Sequence, residues 1–173
     1  MIEFIEKIRA FAPYSENENS TKERFLDFAM NNPDAFDRSN LKGHFTASAF
    51  VVDREKAKIL LIHHKKLDKW LQPGGHCDGD ENTLMVAIKE VQEETGVEIT
   101  PDNQAIIDLD IHVIPERKGI PEHEHFDVRY IFESDSISPL IQNHETVDLK
   151  WISFDEVKNY TTEESVLRIL TKL

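Results

Sequence analysis

An α+β fold is predicted: a mixed-sheet sandwich preceded by a helical extension. Three observations point to it. Apolar residues recur at helical spacing through the first forty positions, and the pattern turns strand-like at His44. Later strand-like runs fall in two groups around one amphipathic helix, instead of alternating strictly with helices as a doubly wound parallel sheet requires. The 173 residues, 39% hydrophobic and 31% charged, suit one sizeable core.

In order along the chain, Ile2, Ile5, Ile8 and Ala12 mark one helix face, which Pro13 ends. Ser20 with Glu23 forms a capping-box pattern ahead of a Phe25, Phe28, Ala29 stripe, and Asn31-Asn32-Pro33 stops it. His44–Val52 and Lys58–His63 read as strands, joined as a hairpin by the polar Asp53–Lys56 stretch. Trp70-Leu71-Gln72 is a third short strand before Pro73-Gly74-Gly75, and a loop follows. A helix is predicted from Thr83 to Thr95, with Gly96 where a left-handed residue is wanted. Ile106–Val113, Phe126–Phe132 and Val147–Ile152 read as strands; Phe154–Val157 and Glu164–Leu173 read as helices.

Charge narrows the function. Lys and Arg total 20 against 33 Asp and Glu, a net charge of −13. Such a surface repels a phosphate backbone and an anionic membrane, so neither a nucleic-acid duplex nor a membrane is expected as partner. An anionic ligand calls for something positive between it and the protein, a divalent metal above all. Cys77 is the single cysteine, which fits a reducing compartment, and the N-terminus has no continuous apolar region of the secretory kind; a cytoplasmic protein is expected.

The chemistry concentrates between Gly74 and Val97. Glu90, Glu93 and Glu94 lie at i, i+3 and i+4 and share one helix face, apart from the Leu84, Ala87, Ile88 and Val91 stripe. Three like charges there cost a few tenths of a kcal/mol per pair when solvated. A bound Mg²⁺ or Mn²⁺ reverses the sign, because hard cations take carboxylate oxygens. Clustered glutamates alone are usually a solvated face. Here Pro73-Gly74-Gly75 permits close backbone approach, and Asp78-Gly79-Asp80 supplies a second turn.

Gly75, five residues, Glu81, seven residues, then Lys89-Glu90-Val91-Gln92-Glu93-Glu94-Thr95-Gly96-Val97 resembles the Nudix box. Over these 23 residues each fixed position matches except Lys89, where the family usually has Arg. The resemblance implies a Nudix-type α/β/α sandwich with a mixed β-sheet over 41–173, and an N-terminal helical extension over 1–40 outside the common core. It implies a Mg²⁺-dependent hydrolase, Mn²⁺ being an alternative ion, that cleaves a phosphoanhydride in a nucleoside diphosphate linked to another moiety, such as ADP-ribose. By motif position Glu90 and Glu94 become direct metal ligands, Glu93 a further ligand or one acting through water, and the Gly74 carbonyl an additional one. Gly75 and Gly96 shape the motif, Glu81 braces the loop, and Lys89 orients a neighbouring carboxylate without arginine's planar fork. The catalytic set is thus Glu90, Glu93, Glu94 and Glu145; the general base is Glu93 or Glu145, the latter because the family often supplies one from a late loop.

On the substrate side, His123, His125, Asp127 and Arg129 alternate with apolar Phe126, Val128, Tyr130 and Phe132 along one strand. The polar face is either a cleft wall, with Arg129 on a phosphate and His125 and Asp127 on substrate, or a solvated face with an Asp–Arg pair. A His-x-His pair hints at zinc, but no Cys or third His stands at a recognisable spacing. His76 follows the glycines and is placed to touch a ligand; His63-His64-Lys65-Lys66 is a small basic island; Cys77 has no His partner for thiol chemistry; Trp70 is either a base-stacking or a core residue. Two other activities compete with the hydrolase: a prenyl-diphosphate isomerase, against which the complete box argues, and a non-catalytic nucleotide sensor, which is expected to lose the glutamates. The partner is a small nucleotide, and a homodimer built by the N-terminal helices is left open.

Overall fold

The computed structural model describes residues 1–100 and 105–173. Helices α1 (Ile2–Ala10) and α2 (Glu16–Asn31) open the chain. The α2 cap is Ser15 and not Ser20, which lies inside the helix: Ser15 Oγ accepts from Glu18 N, while the Glu18 carboxylate accepts from Tyr14 N. The same capping logic therefore operates five residues earlier, at a second Ser-x-x-Glu spacing.

Strands β1 (Gly43–Asp53), β2 (Lys58–His64), β3 (Lys69–Leu71), β4 (Gly74–His76), β5 (Ile106–Ile114), β6 (His123–Ser134) and β7 (Thr146–Ser153) form one mixed sheet. Strand β1 runs parallel to β6 along its whole length, and β5 closes that side antiparallel to β6. On its other edge β1 pairs β2 only at Val51 and Val52, then β4 at Thr46–Ser48. The glycine segment after Pro73 is thus a strand where a loop was expected. Small residues make the pairing possible: a Cβ on Gly74 would stand 2.3 Å from Ser48 Cβ.

Alternation along β1 divides the core in two. Phe45, Ala47, Ala49 and Val51 face α1, α2 and helix α3 (Thr83–Thr95); Phe50 and Val52 face the C-terminal segment. Phe4, Phe25, Phe36, Phe45 and Phe126 interlock within the first core, with ring centroids 4.6–5.9 Å apart, so the N-terminal helices share the sheet's own interior. Phe154–Val157 forms a turn leading into a 3₁₀ turn at Val157–Asn159, not a helix. The C-terminal helix, α4, spans only Glu164–Leu167 and tightens into 3₁₀ geometry over Arg168–Thr171.

Candidate active site

Helix α3 starts and stops where the spacing predicts. The Asn82 side chain accepts from Met85 N at 3.4 Å, and Gly96 ends the helix at φ 72°. One side of α3 packs Leu84, Val86, Ala87 and Val91 on the sheet. This packing rolls Glu94 inward to 3% exposure, and its Oε2 accepts from Gly74 N at 2.9 Å. Glu90 lies against Gly75, where a Cβ would meet the carboxyl carbon at 2.6 Å. The two glycines thus do separate jobs: Gly74 lets β4 approach β1, and Gly75 leaves room for a carboxylate.

Burial, then the charge of Glu93, pushes the Glu90 carboxyl up to about 7, with Glu145 adding to the effect. Burial pushes Glu94 up to about 8; the Gly74 amide opposes this, while Glu90, Glu145 and Glu93 reinforce it. The Glu145 charge thus acts on both carboxyls from the loop before β7, where its carbonyl accepts from Lys65 N and its carboxylate lies 3.6 Å from His144 Nε2. Glu93 stands on the solvent side of the helix, 3.5 Å from Lys89 Nζ. Lys89 and Glu93 thus form an exposed i,i+4 ion pair. Glu81 is exposed and pairs with the α-amino group of Met1.

Crowded carboxylates that raise one another's pKa fit a hard divalent cation, which would relieve both the repulsion and the burial cost. Gly75 supplies the cradle, since only a residue without a Cβ leaves the Glu90 carboxylate its place.

The polar face of the strand carrying Arg129 is neither the cleft wall nor the solvated face of the two readings, although the Asp–Arg pair of the second is present. Arg129 is buried, and each of its three guanidinium nitrogens is engaged: Nε with Asp127, Nη1 with Asp108 and the Ser165 carbonyl, Nη2 with Asp110. Asp127 also accepts from Thr46 and Ser48 hydroxyls at 3.0 and 2.7 Å. Asp108 and Asp110 reach inward from β5, so the pairing of β5 with β6 spends Arg129 on a buried network. Here the substrate-contact expectation gives way, for Arg129 and Asp127 alike, to an internal ion cluster closed by Arg168 and Lys172. His125 and His76 come together instead with other imidazoles.

Sequence reading passed over Arg38. Its guanidinium is exposed, pairs with Asp78 in the loop after β4, and lies within reach of the Glu90 charge. A lone Arg in a turn carries no local signal; the fold alone brings its charge near Glu90, and near His44 and His76 as well. Cys77 is buried, and burial pushes its thiol up, away from nucleophilic use. Trp70 stacks on His63 at 5.1 Å and packs against the second core.

The family model described as NUDIX domain matches residues 42–173. The chain belongs to the NUDIX hydrolase family. It is similar to a "Probable DHNTP pyrophosphohydrolase" of Lactococcus lactis subsp. cremoris, 34% identical over 90 residues, which cover 51% of this chain and 52% of that protein. It is also similar to "Phosphatase NudJ" of Escherichia coli K12, 27% identical over 121 residues, covering 67% and 72%. This NUDIX chain thus spans about half the length of the first relative and more of the second. Among solved structures, a NUDIX-family hydrolase from Clostridium perfringens is 30% identical, covers 75% of this chain and 94% of its own, and superposes with a TM-score of 0.54. Among the described residues, no helix is long and apolar enough to cross a membrane.

Proposed function

We propose that the chain hydrolyses a phosphoanhydride in a nucleoside diphosphate linked to another moiety, with Mg²⁺ as working ion and Mn²⁺ able to replace it. The observation that carries this reading is the pairing of Glu94, 3% exposed, with Glu90 beside a glycine strand, both pushed up in pKa. A protein gains nothing in stability from two such carboxylates; a cation-dependent reaction makes use of them.

Glu90, Glu94 and the Gly74 carbonyl would hold the ion, with Glu93 assisting through water. When bound, it neutralises phosphate oxygens and lowers the pKa of coordinated water. The chain does the rest by position. Gly74 N fixes the Glu94 carboxylate through its hydrogen bond. Lys89 keeps Glu93 outward, where it meets solvent. Glu145, exposed and close enough for its charge to raise both Glu90 and Glu94, is our choice of general base. Arg38 takes the phosphate-facing role expected of Arg129, because it is the exposed one of the two. Relatives carry names of a pyrophosphohydrolase and a phosphatase, so hydrolysis of a phosphorylated compound is the shared element, and nucleotide sugars such as ADP-ribose head the substrates to try. The single, buried Cys77 and the acidic composition suit work in the cytoplasm.

Phosphate release from a panel of nucleotide sugars, nucleoside triphosphates and dinucleotides tests the proposal. Glu94→Gln should lower kcat/KM by about 10²–10⁴-fold at saturating Mg²⁺. Glu145→Gln should lower kcat while leaving the Mg²⁺ concentration for half-activity in place. Equal turnover by wild type and Glu94→Gln would reject the ligand assignment. Turnover of a prenyl diphosphate without hydrolysis would point to the isomerase.

A further inference from the structure

Five of the chain's eight histidines gather on one stretch of sheet. Register brings them there: His44 on β1 is the partner of His125 on β6, and His125 is the partner of His112 on β5. His123 lies two residues before His125 and so on the same face. His76 joins from β4. Ring centroids are 4.6 Å apart for His44 and His125, 5.1 Å for His44 and His123, and 5.3 Å for His123 and His125.

Hydrogen bonds set the tautomers. His123 Nδ1 lies 2.8 Å from the Pro121 carbonyl, and His44 Nδ1 3.5 Å from the Asn40 carbonyl. A carbonyl only accepts, so each Nδ1 carries the proton and each Nε2 keeps its lone pair. His44 is 3% exposed, and its Nε2 has no hydrogen-bond partner among the described residues; His125 Nε2 is buried and without one as well. Leaving a buried polar atom unsatisfied costs about 1–3 kcal/mol, and here two such atoms belong to touching rings. One donor atom each from His44, His123 and His125 falls within 4.8 Å of the others.

We propose that His44, His123 and His125 form a three-imidazole site for a borderline divalent transition ion, Zn²⁺ first, separate from the glutamate site. Imidazole nitrogen suits Zn²⁺, and Mg²⁺ prefers oxygen. Tetrahedral bonds of about 2.0–2.1 Å set nitrogens roughly 3.3 Å apart, so small side-chain rotations close the cluster. The Asn40 and Pro121 carbonyls act as the outer partners that fix ring orientation. A fourth position is open to water or to His76, whose ring is 5.1 Å from His44. The two sites lie on opposite faces of β4, since Gly75 faces Glu90 and its neighbour His76 faces the other way.

The test uses untagged full-length chain, stripped with chelator and kept in excess Mg²⁺ so that the carboxylates are engaged. Calorimetric titration with Zn²⁺ should give one equivalent per chain, and Co²⁺ should develop the visible absorption of a tetrahedral site. His123→Ala, at the half-exposed rim, should keep the far-UV circular dichroism and weaken Zn²⁺ by at least about 10–100-fold. His125→Gln should act alike, and Glu90→Gln with Glu94→Gln should leave Zn²⁺ binding unchanged. Wild type that takes up no stoichiometric Zn²⁺ overturns the proposal. So does affinity that survives His123→Ala, or that disappears with the glutamate variants.

Discussion

At the residue scale, the two glycines of β4 separate stability from function. Neither has the positive φ that would bar a side chain. An alanine at Gly74 meets Ser48 Cβ at 2.3 Å and Ala47 carbonyl oxygen at 2.9 Å, and neither can yield without opening the β1–β4 pairing. At Gly75 the new methyl meets only the far end of Glu90, a flexible side chain. Gly75→Ala should therefore melt within a few degrees of wild type and lose at least about tenfold in activity or Mg²⁺ affinity, by displacing the carboxylate. Thermal melts beside Mg²⁺-dependent kinetics check this; unchanged kinetics would mean that Glu90 is not a ligand.

At the element scale, the C-terminal segment is held by charge as well as by its apolar residues. Asp108 on β5 is fully buried and receives Arg129 at 3.2 Å, Arg168 at 2.5 Å and Lys172 at 2.7 Å. With Asp110, Asp127 and Glu18, which pairs with Lys172 at 3.0 Å, four carboxylates face three cations. Removing Asp108 takes a partner from all three cations, each of which keeps another, so the cost falls below that of a buried cation left unpaired, at about 2 kcal/mol. Asp108→Ala should lose that much in denaturant melts, while exposed Asp148, paired with Lys150 at 2.9 Å, should cost under about 1 kcal/mol when replaced by alanine. The alternating polar pattern of β6 was visible in the sequence, but its meaning depended on β5. The same two-residue period describes a cleft wall and a buried network, and only the strand beside it decides between them.

At the scale of the whole molecule, the raised carboxyls of Glu94 and Glu90 set a pH dependence. Glu94 is raised from its ordinary value to about 8 and Glu90 to about 7, mainly by burial. A carboxyl with a higher pKa folded than unfolded binds more protons in the folded state, so its contribution is fully present below about pH 4.5 and lost as pH rises through the folded value. His76 and His125, held at about 4 and about 2 chiefly by burial, work the opposite way: their contribution is present above about pH 6.5 and lost as pH falls. The glutamate part is isolated by comparing variants. In metal-free buffer, Glu94→Gln should gain on wild type by a few kcal/mol between pH 5 and pH 8, and added Mg²⁺ should remove that gain. A difference that stays flat with pH, measured by denaturant unfolding, would count against the buried, protonated Glu94.

The sequence by itself determined what lies close along the chain. The helix from Thr83 to Thr95, its Gly96 stop, and the acidic side carrying Glu90, Glu93 and Glu94 follow from residues within one helix, where 3.6-residue periodicity fixes mutual position; that Glu94 is buried while Glu93 stays exposed does not. Tertiary structure alone decided which strand neighbours which. It paired Gly74–His76 with β1, spent Arg129 on Asp108, Asp110 and Asp127, paired Arg38 with Asp78, and set His44 beside a His-x-His pair about eighty residues away in sequence. Strand register joins positions whose separation along the chain carries no spacing rule. Local patterns name the face on which a side chain stands, and the sheet chooses its company.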